Sequence, residues 1–328
     1  MQAWQVHRHG EPREALALVD MAEPVPGPGE LGIRVGAAAV GLPDVLMCRG
    51  SYALTPPLPF VPGQEVCGVV DAVGEGVDLP LGVRLMAVTS FMDGRGGFAE
   101  STIANAGTAY RVPDEMSDAE AAAFRIGFST AWIGLVRRGA LGAGEWLLVL
   151  GAAGGSGAAA VQLGRALGAR VIAVASGAQR LAFCERLGAE AVVDRAAGSV
   201  SDAVLAATDG RGVDVIYDPV GGDPAATAIR ALAPGGRLLA VGFASGTWAQ
   251  PATADLVRRN CSLVGVYAGG LARDENEADH EALLALAADG HLAGAATTVP
   301  FDRLPDAVED VAAASAVGKL VVQVRRPV

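Results

Sequence analysis

Three glycines at regular spacing, Gly151, Gly154 and Gly157, form the stretch of this sequence best suited to binding a charged group. They follow four consecutive apolar residues, which is typical of a strand buried on both faces, and they precede a run of small residues suited to a helix. A turn of this kind, leading from a strand into the free N–H groups of a helix, can bind a dinucleotide pyrophosphate. Because Ala152 replaces the first glycine of the usual G-x-G-x-x-G pattern, a tight turn without a ligand stays an alternative.

The segment after the second predicted strand carries groups suited to a phosphate. A protein that binds NAD usually has a carboxylate at the end of this strand, where it bonds the ribose hydroxyls. Here the strand is followed by Ser176-Gly-Ala-Gln-Arg180, and Arg195 comes just after the third strand. One hydroxyl and two guanidinium groups, with no carboxylate to repel a 2′-phosphate, favour NADPH. The alternative is that both arginines are ordinary solvated charges.

A regular alternation of strand-like and helix-like runs from Trp146 onward positions both groups of residues. The six predicted strands are 147–150, 170–175, 191–194, 213–217, 237–241 and 263–266. The helix-like runs between them lie near 156–167, 178–187, 199–207, 223–232 and 251–259. Buried strands joined by helices predict an α/β fold with a doubly wound, parallel, six-stranded sheet.

Residues 1 to about 116 predict a β-rich domain instead. Their short apolar runs are separated by Pro- and Gly-rich turns, a pattern typical of a compact barrel or sandwich. A short helix is expected near Pro43. Ser117 and Glu120 form a predicted capping box that opens a long helix ending near Arg138.

The C-terminal segment predicts two helices and a strand, at 274–289, 304–316 and 319–324. This segment is too small for a domain of its own, so we expect it to return to the first domain.

The composition excludes several classes of function. The 328 residues carry a net charge of −11 without a dense basic cluster, which argues against nucleic acids and acidic membranes as partners. No apolar run reaches the roughly 18 residues that a membrane span needs, and the N-terminal residues lack the apolar core of a signal peptide, so we expect a cytoplasmic protein. The four cysteines are scattered and predict neither a disulfide nor a zinc cluster.

Further motifs follow one another along nearly the whole chain. They read RGSY at 49–52, LPFVPG at 58–63 with Glu65 and Gly68, GGFAE at 96–100, VDVIYD at 213–218, VGG at 220–222, GGR at 235–237 with Gly242, and Gly318-Lys319. Together with the Gly151–Gly157 turn, they resemble the zinc-free NADPH:quinone oxidoreductase (zeta-crystallin-like) family of the medium-chain dehydrogenase/reductase superfamily. The resemblance implies a GroES-like β-barrel catalytic domain and a Rossmann domain that binds NADP. The predicted boundaries are 1–120 with 268–328 for the first domain and 121–267 for the second.

The resemblance also implies that zinc is absent. Zinc enzymes of the superfamily have a cysteine near the position of Gly41 and a histidine at the position of Gln64. The segment 90–97, which matches their structural zinc lobe, has no cysteine, and all four histidines lie far from these motifs. Without a Lewis acid, we expect a substrate that accepts hydride readily, such as a quinone or an alkene conjugated to a carbonyl group.

Candidate cofactor-binding residues follow from the resemblance. In the glycine-rich turn they are Gly151, Ala153, Gly154, Gly155, Ser156 and Gly157. Elsewhere they are Thr130, Ser176, Arg180, Arg195, Val220, Gly242, Phe243, Ala244, Val266 and Tyr267. Arg195 stands where relatives have a tyrosine near the 2′-phosphate, which makes the predicted phosphate site more basic.

The candidate substrate pocket consists of Gly41, Asp44, Tyr52 and Gln64. The phenol of Tyr52 is suited to donate a hydrogen bond to a quinone or enone oxygen, and packing over the rim of the barrel is the alternative. Gly41 stands where related quinone oxidoreductases commonly have an asparagine, and the loss of that side chain bears on the choice of acceptor.

The predicted reaction is hydride transfer from NADPH to an electron-poor carbon, with the protein positioning the reactants and excluding water. Two alternatives stay open. One is an NADPH-binding sensor or structural, crystallin-like protein with little turnover. The other is an enoyl-thioester reductase, although no basic cluster for its phosphate-bearing carrier is evident. The resemblance also implies a homodimer formed through the last strand of the Rossmann sheet.

Overall fold

A computed structural model describes residues 1–269 and 273–324 of the chain. The strands are β1 (Gln2–Val6), β2 (Leu16–Asp20), β3 (Glu30–Ala39), β4 (Glu65–Val73), β5 (Arg84–Thr89), β6 (Ser101–Arg111), β7 (Trp146–Val149), β8 (Arg170–Ala175), β9 (Ala191–Asp194), β10 (Val213–Asp218), β11 (Leu232–Ala240), β12 (Ser262–Gly265), β13 (Ala296–Pro300) and β14 (Lys319–Gln323). The helices are α1 (Pro12–Ala15), α2 (Leu42–Cys48), α3 (Asp118–Trp132), α4 (Gly155–Ala166), α5 (Ala178–Arg186), α6 (Val200–Ala207), α7 (Gly222–Ala228), α8 (Thr253–Arg259), α9 (Arg273–Ala288) and α10 (Leu304–Ala312).

The chain forms two compact units. The first contains Met1–Ile126 and the segment that begins at Gly294, and the second contains Gly127–Ala293. These limits differ from the boundaries predicted at 120/121 and 267/268. At the second boundary, Asp279 on α9 accepts a hydrogen bond from Trp132 Nε1 at 2.8 Å, so α9 packs with the second unit. Residues 270–272 and 325–328 of the predicted C-terminal segment lie outside the described residues.

The first unit is built on one six-stranded sheet, in the order β13-β14-β3-β4-β5-β6. An additional pairing of β3 with β6 closes four antiparallel strands into a barrel. Every second residue of these strands faces the barrel core, which includes Ile33, Val35 and Leu85. The C-terminal strand β14 pairs with β3 and so brings Lys319 to this sheet.

The second unit is a parallel sheet in the order β12-β11-β10-β7-β8-β9. This arrangement confirms the predicted doubly wound α/β fold, since consecutive strands are joined by helices. Leu147, Leu148 and Val149 of the central strand β7 are fully buried, as the continuous apolar run predicts. The carboxyl ends of β7, β8, β10 and β11 therefore lie along one edge of the sheet.

Strand β11 is longer than predicted and begins at Leu232. Proline and glycine at Pro234-Gly-Gly236 favour a turn, but the structure has an irregularity within the strand here: Val213 pairs with Leu232 and Val215 pairs with Arg237. Gly235 adopts a φ of 79°, and a proline cannot donate to a ladder, so the residues suited to a turn form a bulge here.

Helix α3 begins as predicted and ends differently. The capping box is formed, since Ser117 N donates to the Glu120 carboxylate at 2.9 Å and Glu120 N donates to Ser117 Oγ at 3.3 Å. The predicted helix runs to about Arg138, but Ile133–Arg138 forms a π-helix. Gly139 N donates to Gly134 O at 2.7 Å, which is the longer-range bond of this conformation.

Among the residues that the structure describes, no helix combines the length and the apolar character needed to cross a membrane.

Candidate functional site

The glycine-rich turn joins β7 to α4 at the carboxyl edge of the second unit's sheet. Gly151 adopts a φ of 57°, a conformation that favours glycine. A Cβ atom on Gly157 would overlap the carbonyl oxygen of Gly151 and come within 2.7 Å of the Cα atom of Ala152. Glycine at position 157 therefore lets the helix pass directly against the turn, while Ala152 and Ala153 are buried beneath it.

The N-terminus of α4 fits a phosphate group. Its N-cap residue, Gly154, is exposed and extended and has no side chain to occupy the first N–H groups of the helix. These N–H groups, among them those of Gly155 and Ser156, lack intrahelical partners and carry the positive end of the helix dipole. Because glycine has no side chain, there is room here for an anion beside the backbone. The loop therefore fits a dinucleotide pyrophosphate.

Tyr217 contacts this loop through its hydroxyl group. The sequence did not predict this role. The Tyr217 side chain is fully buried in β10, and its hydroxyl lies 2.9 Å from Ser156 Oγ. Burial raises the pKa of the Tyr217 phenol, so it stays protonated and able to donate. The motif at 213–218 contained this residue, but its contact with Ser156 depends on β10 lying next to β7 in the sheet.

Ser176, Arg180 and Arg195 come together at the carboxyl end of β8. Arg195 Nε donates to Ser176 Oγ at 3.3 Å, and Arg180 Nη1 donates to the Ser176 carbonyl oxygen at 3.2 Å. Arg195 is exposed, and Ser176 and Arg180 are half-buried at the same strand end. Two guanidinium groups and a hydroxyl at one strand end form a donor set that suits a phosphate dianion.

The loops after β10 and β11 interlock. Asp218 is fully buried, and its Oδ1 atom accepts the N–H groups of Val220 at 2.9 Å and Gly221 at 2.8 Å. Burial raises the pKa of Asp218. The N–H groups of Gly242 and Ala244 donate to the carbonyl oxygens of Asp218 and Pro219. Asp218 thus holds the loop that carries Val220, a predicted cofactor contact.

The side chains of two predicted cofactor contacts, Val220 and Phe243, pack beside other parts of these loops. A methyl carbon of Val220 lies 3.0 Å from the position of a Cβ atom built on Gly151, so the loop after β10 borders the glycine-rich turn. The Phe243 ring packs against Trp248 at a tilt of 41°, with 4.7 Å between the centroids.

The remaining predicted cofactor contacts, Thr130, Val266 and Tyr267, differ in how deeply they are buried. Thr130 is half-buried on α3, one turn after Gly127, whose Cα faces Ala159 of α4. Val266 is buried and donates its N–H to Ala240 O at 3.0 Å, next to the loop after β11. Tyr267 is 73 % exposed, so its ring is not part of the packed strand ends.

Asp44 organises the predicted substrate residues of the first unit. Its side chain is 2 % exposed, and it accepts the N–H groups of Gly41 at 2.8 Å and Gly63 at 3.0 Å. Burial raises the pKa of Asp44 to about 7, against the lowering effect of these backbone donors and of Lys319. One carboxyl group therefore ties the start of α2 to the loop before β4.

An ion pair lies beside this carboxyl group and was not predicted. Lys319 Nζ lies 2.5 Å from Glu65 Oε1, with the side chains 16 % and 2 % exposed. The second oxygen of Glu65 accepts the N–H of Ile126 at 2.9 Å. The sequence offered both residues as family markers, but their contact joins β4 to the C-terminal strand and needs the closed sheet.

Gln64 and Tyr52 complete the predicted set. The Gln64 amide nitrogen is buried and has no hydrogen-bond partner among the residues described. The Tyr52 ring packs against the apolar core of the first unit. The structure brings Gly41, Asp44 and Gln64 close to Gly63.

The side chains at this cluster do not suit a zinc ion. Gly41 offers none, Gln64 offers an amide, both carboxylates already accept hydrogen bonds, and the ammonium of Lys319 is a competing cation. Within residues 1–269 and 273–324, no group of three His, Cys, Asp or Glu side chains is placed to hold a metal.

Comparisons with known proteins identify families and structures that this chain resembles. The family profiles that match are "Zinc-binding dehydrogenase" over residues 155–289 and "Alcohol dehydrogenase GroES-like domain" over residues 27–114. The quinone oxidoreductase-like protein 2 homolog of Nematostella vectensis is 33% identical over 307 residues, covering 92% of this chain and 83% of that protein.

Solved structures are similar over the full length. The quinone oxidoreductase from Thermus thermophilus, also solved as a complex with NADPH, is 34% identical with a TM-score of 0.83, covering 99% of this chain and 100% of that one. A mycobacterial protein complexed with NADPH is 28% identical with a TM-score of 0.90 over 99% and 100% of the two chains.

Proposed function

This chain belongs to the quinone oxidoreductase family of the medium-chain dehydrogenase/reductase superfamily, and we propose that it reduces quinones or α,β-unsaturated carbonyl compounds with NADPH, without zinc. The observation that carries the proposal is the convergence of Arg180 and Arg195 on Ser176 at the strand end beside the glycine-rich turn.

The residues of the second unit would hold NADPH by its phosphates. The N–H groups at the start of α4 bind the pyrophosphate, and Ser156 is held in place there by Tyr217. Ser176, Arg180 and Arg195 bind the 2′-phosphate, which NADH lacks. NADPH supplies a hydride when bound, and the protein's part is to orient the reactants and exclude water.

Zinc independence is part of the proposal and rests on the chemistry of the donors. A catalytic zinc needs three protein ligands of the Cys, His or carboxylate type. At Gly41 and Gln64 the chain has no such ligand, and Glu65 is engaged by Lys319 and a backbone N–H.

The test is a purified protein mixed with NADPH and a panel of acceptors, namely phenanthrenequinone, duroquinone, cyclohexenone and a crotonyl thioester. We expect oxidation of NADPH with at least one quinone or enone, faster than with NADH, and unchanged after dialysis against a chelator. Loss of activity on chelation that zinc restores would contradict zinc independence.

The panel also separates the two alternatives. An NADPH-binding sensor or crystallin-like protein would bind NADPH without oxidising it in the presence of any acceptor. An enoyl-thioester reductase would use the crotonyl thioester but neither the quinones nor cyclohexenone. Either result would overturn the proposed function.

A further inference from the structure

Lys319 is the only lysine in the sequence, although the chain has 25 lysine and arginine residues in total. All the others are arginines, both at exposed positions and in ion pairs. The one position that keeps an ammonium group is largely buried, with 16 % of its side chain exposed. This distribution indicates that position 319 needs an ammonium group and not merely a positive charge.

The ammonium group has unused donors. Among the residues that the structure describes, it forms an ion pair with Glu65, with 2.5 Å between Nζ and Oε1. An ammonium group carries three N–H bonds, so one contact leaves two of them for other acceptors. Asp44 lies near enough to feel the positive charge of Lys319, but its two oxygens accept the N–H groups of Gly41 and Gly63 instead.

The ammonium group borders the position that a side chain at Gly41 would occupy. A Cβ atom built on Gly41 would lie 3.7 Å from both Lys319 Nζ and Asp44 Oδ2, which is ordinary contact, and 3.3 Å from Pro43 Cδ, which is tighter. Because Gly41 has no side chain, this space is left next to the ammonium group. The buried, unpartnered amide nitrogen of Gln64 is a further donor in the same part of the described chain.

We propose that Lys319 is a catalytic residue whose ammonium group binds the carbonyl oxygen of the acceptor and stabilises the negative charge that develops there. The inference rests on the proposed function, and Glu65 serves as the positioning residue that holds the ammonium group. Reduction adds a hydride from NADPH to the acceptor carbon, moves a π-electron pair onto the oxygen, and leaves NADP⁺; a proton from water then completes the product. A preorganised donor at the site of developing charge is worth roughly 10²- to 10³-fold in rate.

The lysine suits this task better than an arginine does. A guanidinium group pairs with a carboxylate through two parallel hydrogen bonds, so an arginine at position 319 would direct its fork to Glu65. The compact ammonium group instead meets Glu65 at a single oxygen and leaves N–H groups for other acceptors.

The first experiment measures kcat, KM, thermal stability and NADPH affinity in K319R and in the double variant K319M/E65Q. The double variant removes the ammonium group without leaving a buried, unpaired carboxylate. We expect both variants to bind NADPH as the wild type does, with kcat/KM for the acceptor reduced at least about 100-fold in K319M/E65Q and at least about tenfold in K319R. R95M, which breaks the similar Arg95–Glu30 pair of the first unit, is the control, with reduced stability and unchanged turnover.

The second experiment does not depend on turnover. Since the chain has one lysine, protein labelled with ¹³C,¹⁵N-lysine gives a single set of lysine side-chain NMR signals that needs no assignment. We expect these signals to shift when phenanthrenequinone is added to the complex with NADP⁺, because the ammonium group gains an acceptor. Signals that stay in place at saturating quinone would overturn the inference even if the double variant failed to fold.

The outcomes also separate this inference from the proposed function. Wild-type protein that oxidises NADPH with no acceptor overturns both. Wild-type turnover that K319R and K319M/E65Q retain within about threefold overturns the role of Lys319 and leaves the proposed function intact.

Discussion

At the scale of single residues, we propose that the choice between NADPH and NADH depends on three side chains. Ser176 accepts a hydrogen bond from Arg195, and its carbonyl oxygen accepts one from Arg180, so both guanidinium groups are held at the end of β8. Holding two positive charges at one point is favourable when an anion lies between them. The pre-formed cluster therefore favours a ligand that carries a 2′-phosphate.

The variant R180A/R195A should lose this discrimination. Each hydrogen bond to a charged group is worth roughly 1.5–3 kcal/mol, so the Kd of NADPH should rise at least about tenfold while that of NADH changes little. Titration calorimetry with both nucleotides measures the difference. R170A, which removes an exposed arginine of the same strand paired with Glu190, should leave both affinities unchanged. Equal losses for NADPH and NADH in the double variant would contradict the phosphate assignment.

Asp44 makes a second prediction at this scale. Its pKa in the folded protein is about 7, above the ordinary value of 3.8, because burial disfavours the carboxylate. The protonated form is therefore favoured in the folded state. Its contribution to stability is complete below a pH of about 4 and is lost as the pH rises through about 7.

We expect the free energy of unfolding of the wild type, compared with that of D44N, to fall by a few kcal/mol between about pH 4 and about pH 8, since one pKa unit corresponds to ~1.4 kcal/mol. Urea denaturation at several pH values measures it. D20N, a change at an exposed residue of β2, is the control and should follow the wild type. A constant difference between wild type and D44N across this range would show that Asp44 does not titrate there.

At the scale of elements, two glycines in the turn between β7 and α4 have different roles. Gly157 permits close packing, because a Cβ atom there would overlap the Gly151 backbone. Gly154 faces outward, and a Cβ atom there would meet only Gly151 O at 3.4 Å. Gly157 therefore serves the packing of the fold, whereas Gly154 leaves room beside the N-terminus of α4.

Alanine substitutions should distinguish these roles. G157A should destabilise the protein by about 2 kcal/mol or more, because backbone atoms must move. G154A should cost less than about 1 kcal/mol but weaken NADPH binding, because its methyl group stands where the phosphate approaches. Thermal melts without nucleotide and NADPH titrations measure the two effects. Comparable melting temperatures for the two variants would contradict this division.

At the scale of the whole molecule, strand β12 is the end of the parallel sheet and carries exposed apolar side chains. Leu263 is 43 % exposed, and Val257 on the preceding helix is 70 % exposed. An unpaired edge strand can extend its sheet across a twofold axis. We propose that two copies of the chain pair through β12.

A charge on this edge should prevent the pairing. L263R places a guanidinium group on the edge strand and should convert a dimer into a monomer in sedimentation experiments. L81R, a matched change at a leucine of the first unit that is 62 % exposed, should leave the sedimentation unchanged. A monomeric wild type, or a variant L263R that still sediments as a dimer, would contradict the proposal.

Local sequence patterns determined much of this protein. The alternation of apolar runs with helical segments specified the parallel sheet, and β8 and β9 have the predicted limits. The capping box at Ser117 also formed as predicted. These features depend on neighbouring residues alone, since a strand's burial and a helix's first turn are both written in a few consecutive side chains.

The tertiary structure decided which distant groups meet. Ser156 and Tyr217 are joined because β7 and β10 are neighbours in the sheet, and Glu65 meets Lys319 because β14 returns to β3. Residues 234–236 are of types that favour a turn, yet they form a bulge within β11, because Leu232 pairs with Val213 of β10 and so extends the strand back past them. Periodicity shows which face of an element is apolar but not which other element covers it. The placement of Lys319 beside Glu65 and Asp44 therefore depends on the pairing of β14 with β3 and could not be predicted from local patterns.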